Sequence, residues 1–530
     1  MITRVIISDY RCFKHLDFVP HSTTNLVVGA NEAGKSTLLE AIALALTGRI
    51  NGRWASEELN PFWFHRPTAL AYFAQRATTT IALPEISIEL YLSPQVDALQ
   101  HLRGVHNSQK LDAPGIALRV APSPDYRQEL AAYLTGNPPA LLPVEYYAVE
   151  WRDFADQPLL RRPKELATSM IDSRTIRSTS GVDYHTREML SEHLDEKERA
   201  EISLAHRASR QQLTETTLKA INTRLAQDNA ELHSSPIGLQ MDQSARSGWE
   251  GGVVPQVGEI PFAMAGQGQQ AMIKVALAMS RTAHATFVLI EEPENHLSHT
   301  SLQRLIARIG TLAGDSQQIF IGTHSSYVLN RIGIDKLVLL HDGQATKLSG
   351  LTASTIGYFR KLSGYDTLRL ILAESVVLVE GPSDAIVFER AYRDATGVAP
   401  GERGIDVISM SGLTFGRAFE LCAQLDRQAI GLQDNDGRTE DEVRAPVASY
   451  LKASERILYV GVAGGGDTLE PQLRSVNSDE LLRQVLDLSA TTDVASWMKN
   501  HKTEGALRIL DSDLSLTYPA YITDAIAQLK

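Results

Sequence analysis

The stretch LVVGANEAGKSTLLEAIALAL, Leu26–Leu46, decides the fold. An apolar run, a glycine-containing turn and a second apolar run of helical character succeed one another, which is the strand–loop–helix context of a phosphate-binding loop. Gly29, Gly34, Lys35 and Ser36 carry the Walker A spacing. The glycines let backbone amides turn toward phosphate, Lys35 meets the β and γ oxygens, and Ser36 can ligate magnesium. Asn31, Gly34, Lys35, Ser36 and Thr37 are therefore the expected ATP contacts of this loop.

A chain of 530 residues exceeds one ordinary core, so two or three domains are expected. Hydrophobic residues make up 43% and charged residues 22%, as in soluble globular chains, and no apolar run reaches membrane-spanning length. The start, MITRVIISDYRCF, reads as an amphipathic strand and not as a signal peptide, so a cytoplasmic location is expected. Cys12 and Cys422 stand far apart and exclude a disulfide framework or a cysteine zinc site. The formal charge of −12 argues against nonspecific coating of nucleic acid, although it leaves room for a local basic groove and for clustered metal-binding carboxylates.

Outward from the loop, TRVIISDY and TTNLVVG alternate as strands. Val182 to Ser235 contains neither glycine nor proline and predicts long helices, with Leu218, Ile221 and Leu225 on one face. That segment reads either as a solvated helical insertion or as a dimerising hairpin. A second αβ block opens with TFVLIEEPENHLSH, where a buried strand ends at Glu291 and Glu292. One carboxylate can hold magnesium and the other can activate water. Thr323 and His324 close the next strand, a suitable place for a γ-phosphate sensor. Before this block, Gly266, Gln267, Gly268 and Gln270 precede a helix whose amides, with a side-chain amide, could contact phosphate. His296, His299 and His324 allow a zinc site as an alternative. Arg11 reads equally as a nucleotide contact or as a solvated side chain.

Loop, Gly-Gln segment, paired glutamates and late histidine together resemble the ABC-type ATPase head. The resemblance implies that the signature segment of one protomer completes the site of the other, so nucleotide clamps two heads. Two departures bear on the hydrolysis rate: Gln267 replaces the usual signature serine, and Glu291 replaces the usual first aspartate.

The last third carries a second constellation. VVLVEGPSD places Glu380 at the end of an apolar strand and Asp384 at a helix start; AIGLQDNDG then brings Asp434 and Asp436 to the end of another strand. Residues i and i+2 at a strand end project alike, so the two aspartates are expected to converge on one cation. Such clustering is costly unless a metal offsets the repulsion. The arrangement resembles the Toprim domain of topoisomerases, primases and some nucleases. An ABC-type head followed by a Toprim domain resembles the OLD (overcoming lysogenization defect) family of ATP-dependent nucleases. That resemblance, and not spacing, points to Glu470 in DTLEPQL as a further metal ligand, to Lys502 in NHKTEGALRIL as a functional lysine, and to the helical insertion as a dimerisation element.

The expectation is thus an α/β chain: residues 1–165 and 241–365 as an ABC-type ATPase, 166–240 as a helical dimerisation insertion, and 366–530 as a C-terminal Toprim domain. ATP and Mg²⁺ or Mn²⁺ are the implied cofactors. Ser36, Glu291, Glu380, Asp384, Asp434, Asp436 and Glu470 are the implied metal ligands, with Glu292, Glu380 and Lys502 catalytic. DNA is the implied substrate, within a homodimer or higher oligomer and with a possible defence-system partner protein. An RNA-directed toxin nuclease and an ATP-dependent DNA clamp without cleavage are the rival readings.

Overall fold

The structure, a computed structural model, describes residues 1–50, 53–76, 81–136, 140–172, 194–228, 235, 237–244, 249–254, 256–266, 268–270, 285–295, 297–312, 317–348, 350–361, 367–410 and 414–529. The chain forms two compact units. One comprises Met1–Val27, Glu32–Thr323 and Asp342–Ala345, and the other Val28–Asn31, His324–His341 and Thr346–Lys530.

The first unit stacks two sheets on one helix. Strands β1 (Ile2–Tyr10), β2 (Phe13–Phe18), β4 (Ile86–Leu92), β5 (Ala113–Pro122) and β6 (Tyr147–Asp153) form an antiparallel sheet in the order β2-β1-β4-β5-β6. A parallel sheet joins β7 (Thr168–Asp172), β8 (Phe287–Glu291), β9 (Gln318–Gly322) and β3 (Thr24–Gly29) in that order. Helix α1 (Lys35–Thr47) contacts strands of both sheets, which is why it is apolar nearly all round: Leu38, Leu39, Ile42, Leu44 and Leu46 are all buried. The strands β8 and β9 are buried on both faces and read as continuous apolar runs, as parallel strands under cover must.

Two sequence expectations change here. Within the segment expected to be helical from residue 166, Thr168–Asp172 pairs with β8 as a strand. Helices α2 (Glu196–Glu215) and α3 (Lys219–Asp228) follow, and α2 buries none of its residues. Leu218 lies in the turn before α3, off the face it was assigned with Ile221 and Leu225, because the chain breaks its helix at 216–218.

The second unit is built on a parallel sheet with the order β11-β10-β12-β13, formed by β10 (Ser375–Val379), β11 (Ile405–Ser409), β12 (Gln428–Gln433) and β13 (Arg456–Val460). Between and around them run α4 (Pro382–Thr396), α5 (Phe415–Gln424), α6 (Glu440–Arg444), α7 (Leu469–Val476), α8 (Val494–Asn500), α9 (Lys502–Asp511) and α10 (Ala520–Gln528). Val377, Val379, Phe388, Leu473, Tyr521 and Ile522 belong to one apolar cluster that joins this sheet to its helices. No helix among the described residues is long and apolar enough to cross a membrane.

Candidate functional site

The phosphate loop leads from the carboxyl end of β3 into α1. Gly34 caps α1 with φ +99°, and a Cβ there would come within 2.6 Å of the Phe13 ring and 2.8 Å of the Cys12 sulfur, so only glycine fits. Lys35 and Thr37 are buried and Ser36 half-buried, while Asn31 is exposed. Burial pushes the Lys35 ammonium below its ordinary range, and the carboxylates of Glu292, Glu291 and Glu294 pull it back up. Glu291 ends β8 and is buried. Glu292 follows in the left-handed region at φ +45°, held by its own amide, which donates to the Gly322 carbonyl at 2.8 Å. The Asn295 amide bonds the Glu292 carboxylate.

Glu294, which sequence reasoning left without a task, accepts the hydroxyl of buried Thr323 at 2.9 and 3.0 Å. The signal available was only its place three residues beyond the strand. Arg11, left open above, pairs with Glu40 at 2.7 Å. His324 lies just beyond β9 in the turn to the helix Ser326–Ile332. Gly268 and Gln270 lie in a helical turn, and the Gln270 side-chain amide expected to reach phosphate donates instead to the Phe262 carbonyl at 3.0 Å. Gln267 and His296 lie outside the described residues, so the zinc alternative loses a member from view.

In the second unit, Glu380 directly follows β10 and Asp434 directly follows β12. From β10 the chain crosses to β11 on one side and later returns to β12 on the other, so these two carboxylates flank the topological switch point at the carboxyl edge of the sheet. That crevice is where open α/β sheets bind ligands. The Asp434 amide donates to Glu380 Oε1 at 3.1 Å, and the Gly381 amide to Asp384 Oδ2 at 3.1 Å at the start of α4. Glu470, on the first turn of α7, takes the Thr468 hydroxyl at 3.0 Å and the Lys502 ammonium at 3.1 Å. Lys502 is half exposed and Glu470 nearly buried. The fold thus brings together four carboxylates and one lysine spread over residues 380 to 502.

The electrostatics are those of uncompensated charge. Burial, then Asp436 and Asp384, push the Glu380 carboxyl up to about 7. Burial is also the first cause for Asp384, at about 6, where backbone amides pull it down and Glu470 adds to the rise, and for Asp434, at about 8, where Asp384, Glu380 and Glu470 add to it. Asp434 is only 7% exposed, and its Oδ1 has no hydrogen-bond partner. The buried Tyr521 phenol on α10 is raised well above its ordinary value by burial and then by Asp434, Asp384, Glu380 and Glu470.

The strand-end geometry expected to align Asp434 and Asp436 is not what the chain forms, although Asp436 still faces Glu380. Strand β12 ends at Gln433, so both aspartates lie in a turn and the period-two argument does not apply. Asp436 adopts φ +50°, its side chain is 54% exposed, and it pairs with Arg438 at 3.0 Å. Sequence reasoning missed the turn's organiser. Buried Asn435 accepts the Gly437 amide at 2.8 Å and donates to the Gly466 carbonyl at 2.9 Å, while buried Gln472 donates to the same carbonyl at 2.6 Å. The middle residue of Asp-x-Asp was the available signal.

Glu380, Asp384, Asp434 and Glu470 offer hard oxygen donors of the kind Mg²⁺ and Mn²⁺ accept. The unpartnered Asp434 oxygen and the mutually raised carboxyls fit such an ion. Among the described residues, no group of three or more His, Cys, Asp or Glu side chains stands at metal-binding spacing.

Comparison with known families gives three matches. Residues 4–75 match an AAA domain, and residues 183–330 match a second AAA domain whose description refers to the AbiEii toxin of type IV toxin–antitoxin systems. Residues 371–436 match the Toprim domain of overcoming lysogenization defect protein-like chains. No curated protein matches. Among solved structures, the C-terminal region of the Burkholderia pseudomallei OLD protein is 20% identical, with 29% of this chain and 96% of that one covered at a TM-score of 0.25. For the corresponding region of the Xanthomonas campestris OLD protein the values are 20%, 30%, 93% and 0.23. The SMC head domain from Thermotoga maritima is 10% identical over 66% of this chain and 99% of that one, at a TM-score of 0.28.

Proposed function

We propose that this chain, in which AAA-type ATPase domains precede an OLD-like Toprim domain, is an ATP-binding, divalent-metal-dependent DNA endonuclease whose ATPase head gates cleavage. The observation that carries the reading is the buried carboxylate cluster at the switch point of the second unit's sheet, with Lys502 at its edge.

In the head, Lys35 and Ser36 would hold the nucleotide phosphates, Glu291 would hold magnesium, and Glu292 would act as the base that takes the proton of the attacking water. Asn295 orients the Glu292 carboxylate. In the Toprim domain, Glu380, Asp384, Asp434 and Glu470 would hold Mg²⁺ or Mn²⁺, with Asp436 at the rim. A bound ion of this kind polarises a phosphodiester and lowers the pKa of water. Lys502 binds a non-bridging phosphate oxygen and offsets the charge that builds there. A nucleotide-dependent homodimer that includes the helical insertion, a cytoplasmic location and a role in antiviral defence complete the reading; the dimer and the defence role rest on the resemblance described above.

The test is supercoiled plasmid incubated with Mg²⁺ or Mn²⁺, with and without ATP, beside the Glu380→Gln variant. Relaxed or linear DNA from the wild type alone supports the reading, and the ATP lanes give the sign of gating. Intact plasmid in every lane would sink it in favour of an RNA substrate or a clamp.

A further inference from the structure

Two cations border the carboxylate cluster of the second unit. Lys502 pairs with Glu470, and on another side Arg438 pairs with Asp436. The second pair is made by a tight turn. Asp436 at φ +50° and Gly437 at φ +74° fold the chain back, and the Arg438 amide donates to the Asn435 carbonyl at 2.8 Å. Thr439 then caps α6 in a reciprocal box with Glu442, so the segment on both sides of Arg438 is anchored. The guanidinium itself is about half exposed and makes one hydrogen bond to Asp436, using one edge of a group with five donors. Its charge also reaches Glu380.

We propose that Arg438 is a latch on Asp436 which a divalent cation must displace, and that the released guanidinium then takes a phosphate oxygen of the nucleic acid beside the cluster. The inference rests on the metal-dependent nuclease reading given above. Two observations carry it. Arg438 holds the Oδ2 oxygen of Asp436, so that oxygen is shared with the guanidinium and is a weaker donor to a metal ion until the pair opens, and the buried, unpartnered Asp434 oxygen marks the cluster two residues away as a place where a cation is wanted. A guanidinium freed there has the planar fork that matches phosphate. Arg438 is thus a positioning residue for metal and a contact for substrate.

The experiment uses the full-length protein with Arg438→Gln, Arg438→Lys and Glu380→Gln. Free Mn²⁺ is titrated by electron paramagnetic resonance without nucleic acid, and binding of a fluorescent DNA oligonucleotide is followed by anisotropy in Ca²⁺. Arg438→Gln should tighten Mn²⁺ about two- to fivefold, the size expected from removing a half-exposed ion pair. The same variant should weaken DNA about tenfold or more and lower the salt slope by about one, with Arg438→Lys in between. A purely structural arginine would shift the thermal midpoint and move neither reading. Mn²⁺ affinity that Glu380→Gln abolishes but Arg438→Gln leaves unchanged overturns the latch alone. Mn²⁺ affinity indifferent to Glu380→Gln overturns the metal site and the latch with it. Unchanged DNA affinity in Arg438→Gln overturns the phosphate contact.

Discussion

The two candidate sites of this chain use the same architecture and opposite charge bookkeeping. Both stand at the carboxyl ends of parallel strands, β3 and β8 for the phosphate loop and β10 and β12 for the carboxylate cluster. In the first, a buried lysine lies among Glu291, Glu292 and Glu294, so charge of both signs is present before any ligand arrives. In the second, buried Asp434 and Glu470 stand with half-buried Glu380 and Asp384, and their cations, Lys502 and Arg438, are half exposed at the edge. The first site suits a ligand that brings both anion and cation, such as a nucleotide with its metal. The second is short of positive charge and suits a cation. The difference shows that sheet geometry places a site and its charge balance selects the ligand.

The comparison breaks most visibly at Glu380. Replacing it with glutamine should lower plasmid cleavage by at least about a hundredfold, the worth of several kcal/mol of lost charge stabilisation, while ATP binding stays unchanged. If the two sites titrate together in that variant, their independence fails. Lys35→Ala should weaken ATP about ten- to a hundredfold, read with a fluorescent nucleotide, with Mn²⁺ binding at the Toprim cluster untouched. Unchanged cleavage by Lys35→Ala at every ATP concentration would show that the head does not gate the nuclease.

A pH series sharpens the contrast. The Asp434 carboxyl rises from an ordinary value of about 3.9 to about 8 in the folded chain, so the fold binds its proton more tightly than the unfolded chain does. Its stabilising contribution is fully present below about pH 4 and is lost as pH rises through about 8. Metal-free wild type should therefore lose thermal stability across this window more steeply than Asp434→Asn. Mn²⁺ should restore the loss at neutral pH. Parallel profiles for the two proteins would mean that the buried carboxylate costs nothing. The smallest effect is expected at Thr323→Val, which removes the hydroxyl held by Glu294. About 1 kcal/mol of stability should disappear in urea denaturation, and an unchanged midpoint would mean that the pair contributes nothing.

Much of this was legible in the residues. Walker A spacing between an apolar strand and an apolar helix is a local pattern, and Gly34 keeps the positive φ that such a loop requires. Glu291 and Glu380 announce themselves at the ends of apolar runs. The errors came where local rules gave way to side-chain capture. Asp436 left the strand geometry because Asn435 ties the turn to Gly466, and Gln270 turned to a backbone carbonyl near it. Glu294, Asn435, Gln472 and Arg438 gave no periodic signal at all.

By itself the sequence determined the order of the elements, the nucleotide loop and the strand-end acids, because each rests on contacts between near neighbours in the chain. Only the tertiary structure decided which charges compensate one another. Glu380, Asp434, Glu470 and Lys502 meet across more than a hundred residues, and burial there pushes the Asp434 carboxyl well above the ordinary carboxylate range. Desolvation and long-range pairing are properties of the folded chain, and no spacing along it encodes them.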